Sequence, residues 1–187
     1  MDLDLLTVTA LIVLGASTGF LAGLLGIGGG MSMVPFMTML FSAKGVEVDL
    51  VVKVAIATSL ATILFTSLSS ARAHFKKGAV DMTILKPMGL GALLGTFLGA
   101  NFAGMLKGTV LAAVFAAFVG YSALSMLRGK KPKPGRETPS TRGLGLVGSG
   151  IGFISALLGA GGGFITVPFL TWSNVKLHTA VGVSAGM

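Results

Sequence analysis

An all-α fold, a polytopic transmembrane helical bundle built from an internal repeat with Gly-broken short half-helices, is what the sequence predicts, on three observations. Of 187 residues, 53% are apolar and only 11% charged, with a mean hydropathy of +0.91; soluble domains carry about a quarter charged residues. The apolar residues fall in runs of roughly 20, the length a helix needs to cross about 30 Å of hydrocarbon. A glycine-rich block of 21 residues, Gly19–Met39, recurs as Gly152–Trp172 with 12 identities. A soluble enzyme is thereby excluded. The absence of Cys removes disulfides, thiolate metal sites and a Cys nucleophile. Two His and six carboxylates leave little for metal or acid–base chemistry, so no enzyme activity, metal or cofactor is expected.

Taken in order, Leu3–Leu25 is a first span, retained because Met1-Asp2-Leu3-Asp4 lacks the basic start of a cleaved signal. Gly26–Gly30 interrupts the chain, and Met31–Phe41 is too short to cross alone. Long apolar segments follow at Leu50–Ala71, Met82–Phe102 and Thr109–Leu127, with Asp81 as an N-cap and Pro87 a kink in the second. Residues 129–143 are basic and hold three prolines, hence a linker between a first repeat (1–128) and a second (144–187). In the second, Leu144–Leu158, Gly159–Gly163, Phe164–Trp172 and His178–Met187 retrace the first pattern. The copy stops inside the helix that pairs Ser59 with Ser184. A complete second copy would end near residue 260, so the chain reads as a fragment lacking about 70 residues.

The net charge of +8 has a topological reading. Nine of 14 cations sit in two places, Arg72/Lys76/Lys77 and Arg128, Lys130, Lys131, Lys133, Arg136 and Arg142. The positive-inside rule makes both segments cytoplasmic. No nucleic-acid partner is expected. The expected partners are the lipid bilayer, a small anionic substrate and, where the chain assembles, a second copy in a homo-oligomer.

The glycine breaks carry the chemistry. Three glycines ahead of a short helix free backbone N–H groups at a helix N-terminus, an anion site at membrane depth. Gly28, Gly29, Gly30, Gly161, Gly162 and Gly163 are therefore candidate substrate-binding residues, with Pro35 and Pro168 expected in the first turns of the short helices. The competing reading is that glycines only permit close helix crossing. That reading is preferred for Gly15/Gly19/Gly23, Gly91/Gly95/Gly99 and Gly148/Gly152/Ala156, which recur every fourth residue. Thr58, Ser59 and Ser184 can donate to an oxyanion, or bond to their own or a neighbouring helix. Lys53, four residues after Asp49, is expected to form a snorkelling surface pair with it. Gly182–Gly186 spells G-x-S-x-G, but on an apolar helix and not on the strand-to-helix turn that a nucleophile elbow requires.

The repeated Leu-Leu-Gly-x-Gly-Gly-Gly-x-x-x-Val-Pro-Phe (Leu24–Phe36, Leu157–Phe169), with Ala57-Thr58-Ser59 and the Arg72–Asp81 turn, resembles the sulfite exporter TauE/SafE family, also described as the toluene sulfonate uptake permease family. The resemblance implies a bacterial inner-membrane protein of two similar halves that moves sulfite, sulfonates or related small anions. The expected mechanism is alternating access at a midplane site between the two breaks, with export favoured because no carboxylate lies deep in a span to relay protons. An anion channel and a non-transporting membrane scaffold subunit are the alternatives.

Overall fold

The computed structural model describes residues 5–25, 30–127 and 139–187, and every regular element among them is helical. Eight helices follow in chain order: α1 (Leu5–Leu25), α2 (Gly30–Ala43), α3 (Val48–Lys76), α4 (Met82–Met105), α5 (Gly108–Leu127), α6 (Thr141–Leu158), α7 (Gly163–Trp172) and α8 (Leu177–Gly186). Among the described residues, α3, α4 and α6 are each long and apolar enough to cross a membrane. α1 and α6 end at Leu25 and Leu158, and α2 and α7 begin at Gly30 and Gly163, so both boundaries stand 133 residues apart, the offset of the repeated block. Two residues past the end of each short helix stands a residue of positive φ, Gly45 at +75° and Asn174 at +63°, a conformation open to Gly and, among other residues, most readily to Asn.

Local signals set the ends. Asp81 caps α4, its carboxylate accepting from the Thr83 N–H at 2.9 Å and the Thr83 hydroxyl at 2.6 Å. These bonds, that to the hydroxyl foremost, hold Asp81 below its ordinary carboxylate pKa. Ser140 caps α6 by accepting from the Gly143 N–H at 3.4 Å, which starts the helix at Thr141, three residues inside the stretch read as linker. Most of that linker, 129–138, lies outside the described residues. Pro35 and Pro168 are each the sixth helical residue, because Gly30 and Gly163 are themselves helical; they sit in the second turn, not the first. Pro168, lacking an N–H, leaves the Phe164 carbonyl without its intrahelical donor.

The tightest packing joins α4 and α6, which run parallel. Gly91, Gly95 and Gly99 lie on the backbone of Gly145, Ser149 and Phe153, while Gly148 and Gly152 lie on that of Met88 and Ala92. Side chains are absent where the backbones touch, and the opposite face of α4 exposes Leu90, Leu93, Leu94, Phe97 and Leu98. Small residues inside and large apolar ones outside is the arrangement lipid favours, since the tails solvate Leu and Phe while close backbone approach holds the helices. At the other end of α4, Asp49 of α3 accepts from the Gly108 N–H at 2.8 Å, a carboxylate set at the N-terminus of α5. Lys53 instead donates to the Gly104 carbonyl at 3.4 Å. The expected Asp49–Lys53 pair is therefore not formed; each charge meets a helix end of the opposite partial sign, which satisfies an orphan backbone group as well.

Candidate functional site

The second glycine break is a fold-back. Gly159 ends α6 in the left-handed conformation, φ +64°, with its N–H donated to the Ser155 carbonyl and the Ala160 N–H on the same carbonyl at 3.3 Å, a glycine C-cap. The chain then turns back along α6: Gly162 lies beside Ile151 and Ser155. Leu170 of α7 reaches the buried cluster of Ile84, Leu85, Met88 and Leu144, which is the end where α4 and α6 begin. The N-terminus of α7 is thus held beside the second half of α6, within the bundle.

Four N–H groups, those of Gly161, Gly162, Gly163 and Phe164, donate to no acceptor among the described residues; the first bonds of the helix come from Ile165 and Thr166 to the Gly162 carbonyl. Hydroxyls surround them. The Ser184 Oγ lies 2.9 Å from where a Cβ on Gly163 would stand, and the Ser155 Oγ and Thr166 Oγ1 lie 3.3 and 3.6 Å from the same position on Gly162. Ser155 is only 7% exposed, and its hydroxyl has no partner. Thr166, fully buried, directs its hydroxyl at the Met187 sulfur at 3.9 Å. Ile63 of α3 faces Gly161, and Phe118 of α5 meets Phe164 edge to face at 4.8 Å; Gly161–Phe164 and Ser184 are half-buried.

The candidates named from sequence separate as follows. Gly161, Gly162, Gly163 and Ser184 come together at the N-terminus of α7. Ser59, fully buried, donates to the Gly159 carbonyl at 2.7 Å: its proton is committed to the C-cap of α6, so it ties α3 to the break. Thr58 donates to the Val54 carbonyl of its own helix at 2.8 Å. Gly30 opens α2, and Gly28 and Gly29 lie outside the described residues. Val34 of α2 packs on Gly159, which brings the early part of α2 to the second break. Sequence reasoning missed Ser155 and Thr166. It looked for hydroxyls that recur in both copies, and at the 133-residue offset these two face Ala22 and Met33. The available signal was Ser155 falling four residues before a C-capping glycine, on the helix turn that a fold-back covers.

No group of three or more His, Asp or Glu able to hold a metal is present among the described residues.

The profile of the sulfite exporter TauE/SafE family matches residues 11–187. A probable membrane transporter protein of Haemophilus influenzae is 37% identical over 176 residues, covering 93% of this chain and 66% of its own length. The probable membrane transporter protein YunE of Bacillus subtilis is 29% identical over 177 residues, 84% of this chain and 65% of its own. One from Methanocaldococcus jannaschii is 29% identical over 185 residues, 98% and 68%. No solved structure matches. The chain spans about two thirds of the length of the curated relatives it matches. With a family match over nearly its whole length, on a glycine-seamed helical membrane fold, the chain belongs to the sulfite exporter TauE/SafE family.

Proposed function

We propose that this chain works in an inner-membrane secondary transporter for small anions such as sulfite or sulfonates, with the substrate resting against the glycine break ahead of α7. The observation that carries the reading is the set of four unengaged N–H groups at Gly161–Phe164, beside hydroxyls and inside the bundle. An α-helix N-terminus attracts an anion through its dipole and its free donors. Ser184 adds a side-chain donor; Ser59 acts by holding the Gly159 carbonyl away from the anion. In the sequence, Gly28–Gly30 repeat the glycines of this break in the first copy, and rocking of one half against the other alternates access.

Export is the favoured direction. A potential of about 100 mV, negative inside, assists each exported negative charge by roughly 2.3 kcal/mol. All six carboxylates, Asp2, Asp4, Glu47, Asp49, Asp81 and Glu137, lie at termini or turns in the sequence, away from any proton path. In proteoliposomes holding the chain, sulfite flux should saturate with concentration, and Gly162→Val should abolish it while membrane insertion persists. A valine there would collide with Ile151 and Ser155. Flux rising linearly would favour a channel. Unchanged transport in Gly162→Val would sink the placement of the site.

A further inference from the structure

Among the described residues, the break Gly159–Gly163 carries donors but no positive side chain of its own. In α6 the only cation is Arg142, in the first turn, 17 residues before Gly159, or about 25 Å along the axis. α7 has none, and Lys176 follows its far end. On α8, His178 precedes Ser184 by six residues, and on α3, Lys53 precedes Ser59 by six, each about 9 Å of helix; Lys53 is engaged with Gly104, and His178 is exposed. Lys86 of α4 is also exposed. Compensation for a bound charge therefore comes from the N-terminus of α7, worth about half an elementary charge, and from N–H and O–H dipoles. The opposite dipole end of α6 lies a few residues away and lowers that potential further.

The donors are also unequally shared between the repeats. Ser155 and Thr166 belong to the second copy, where the first has Ala22 and Met33, and the first copy's Ser59 is committed to Gly159. The Ser155 hydroxyl is buried beside Gly162 with no acceptor or donor of its own, and a buried unpaired hydroxyl is costly unless a ligand satisfies it.

We propose that the α7 break binds a singly charged oxyanion in preference to a doubly charged one, with Ser155 and Ser184 donating to it beside the four N–H groups. The inference rests on the anion-transport reading and narrows its substrate class. A monoanion is roughly half neutralised by the helix end; a dianion would bring a second, uncompensated charge against a half-buried break walled by Ile63, Ile151 and Phe118, at a further desolvation cost. A three-oxygen head group has about as many acceptor positions as the six donors can fill.

The test titrates the purified chain with sodium methanesulfonate, a monoanion, and sodium sulfate, a dianion, at matched ionic strength, reading heat or Trp172 fluorescence. Methanesulfonate should saturate the site, with sulfate at least about tenfold weaker. Ser155→Ala should weaken methanesulfonate roughly tenfold, the loss of one hydrogen bond to a charged group. The same variant should leave the ligand-free melting temperature unchanged or raised, because the hydroxyl it removes has no partner; a structural serine would lower it. Sulfate binding as tightly as methanesulfonate, with both weakened by Ser155→Ala, overturns the charge selection and spares the anion site. Full methanesulfonate affinity in Ser155→Ala overturns the role of Ser155. No saturable binding of either anion overturns this inference together with the transport-site reading beneath it.

Discussion

α1 and α6 carry the same small-residue seam and meet different surroundings. Gly148 and Gly152 of α6 are buried on the backbone of α4. Gly15 and Gly19, their counterparts at the 133-residue offset, have nothing among the described residues within 4 Å of the space a side chain would take. The difference teaches that a glycine seam only permits close approach. What converts it into stability is a second helix bearing a complementary row, here Gly91, Gly95 and Gly99 on α4. In lipid the apolar side chains gain nothing by leaving hydrocarbon, so the packing of backbone on backbone has to come from such matched rows.

The strongest way to break the contrast is Gly95→Val. The new side chain would fall on the Ser149 carbonyl, backbone that cannot swing aside as a side-chain tip can. A loss of about 3 kcal/mol is expected, read as a shift of the denaturation midpoint in detergent followed by Trp172 fluorescence. A wild-type midpoint would mean that α4 and α6 do not approach this closely.

A matched pair sharpens it. Gly152→Ala places a methyl on the Ala92 carbonyl and should destabilise by about 1–3 kcal/mol. Gly19→Ala meets open space and should be neutral or stabilising by up to about 1 kcal/mol, from helix propensity. The two aligned substitutions should thus shift the midpoint in opposite directions. Equal losses would show that α1 is as tightly covered as α6.

The smallest effect concerns the capping turn from which α4 enters the seam. Thr83 lowers the Asp81 pKa in the folded chain, so this contribution to stability is present above the ordinary carboxylate range. It is lost as pH falls through the lowered Asp81 value. A pH series on the native chain and on Asp81→Ala should converge in acid and diverge by about 1 kcal/mol or less near neutrality. A constant difference at all pH values would remove the cap from the account.

Much of the fold was legible in the residues because lipid makes strict demands: every backbone group must be bonded within its own helix, so apolar length and polar turns mark the elements directly. The α4 cap at Asp81, the Gly159 break and the short α7 were readable for that reason. Pairing was not. Two charges four residues apart read as a helical ion pair, yet Asp49 and Lys53 turned to the ends of α5 and α4, partners more than 50 residues away. Ser59 reads from sequence as either an oxyanion donor or a tie to its own or a neighbouring helix; in the fold it donates to the Gly159 carbonyl, 100 residues along the chain.

The sequence by itself determined the helical membrane class, the repeated block of residues and the family likeness, since each depends on residue type and spacing along one strand of chain. Only the tertiary structure decided which seam is filled, which hydroxyl is spent and which is free. Those outcomes depend on a few ångströms between helices distant in sequence, where the Gly159 carbonyl takes the Ser59 proton while Ser155, one turn earlier on α6, has no partner.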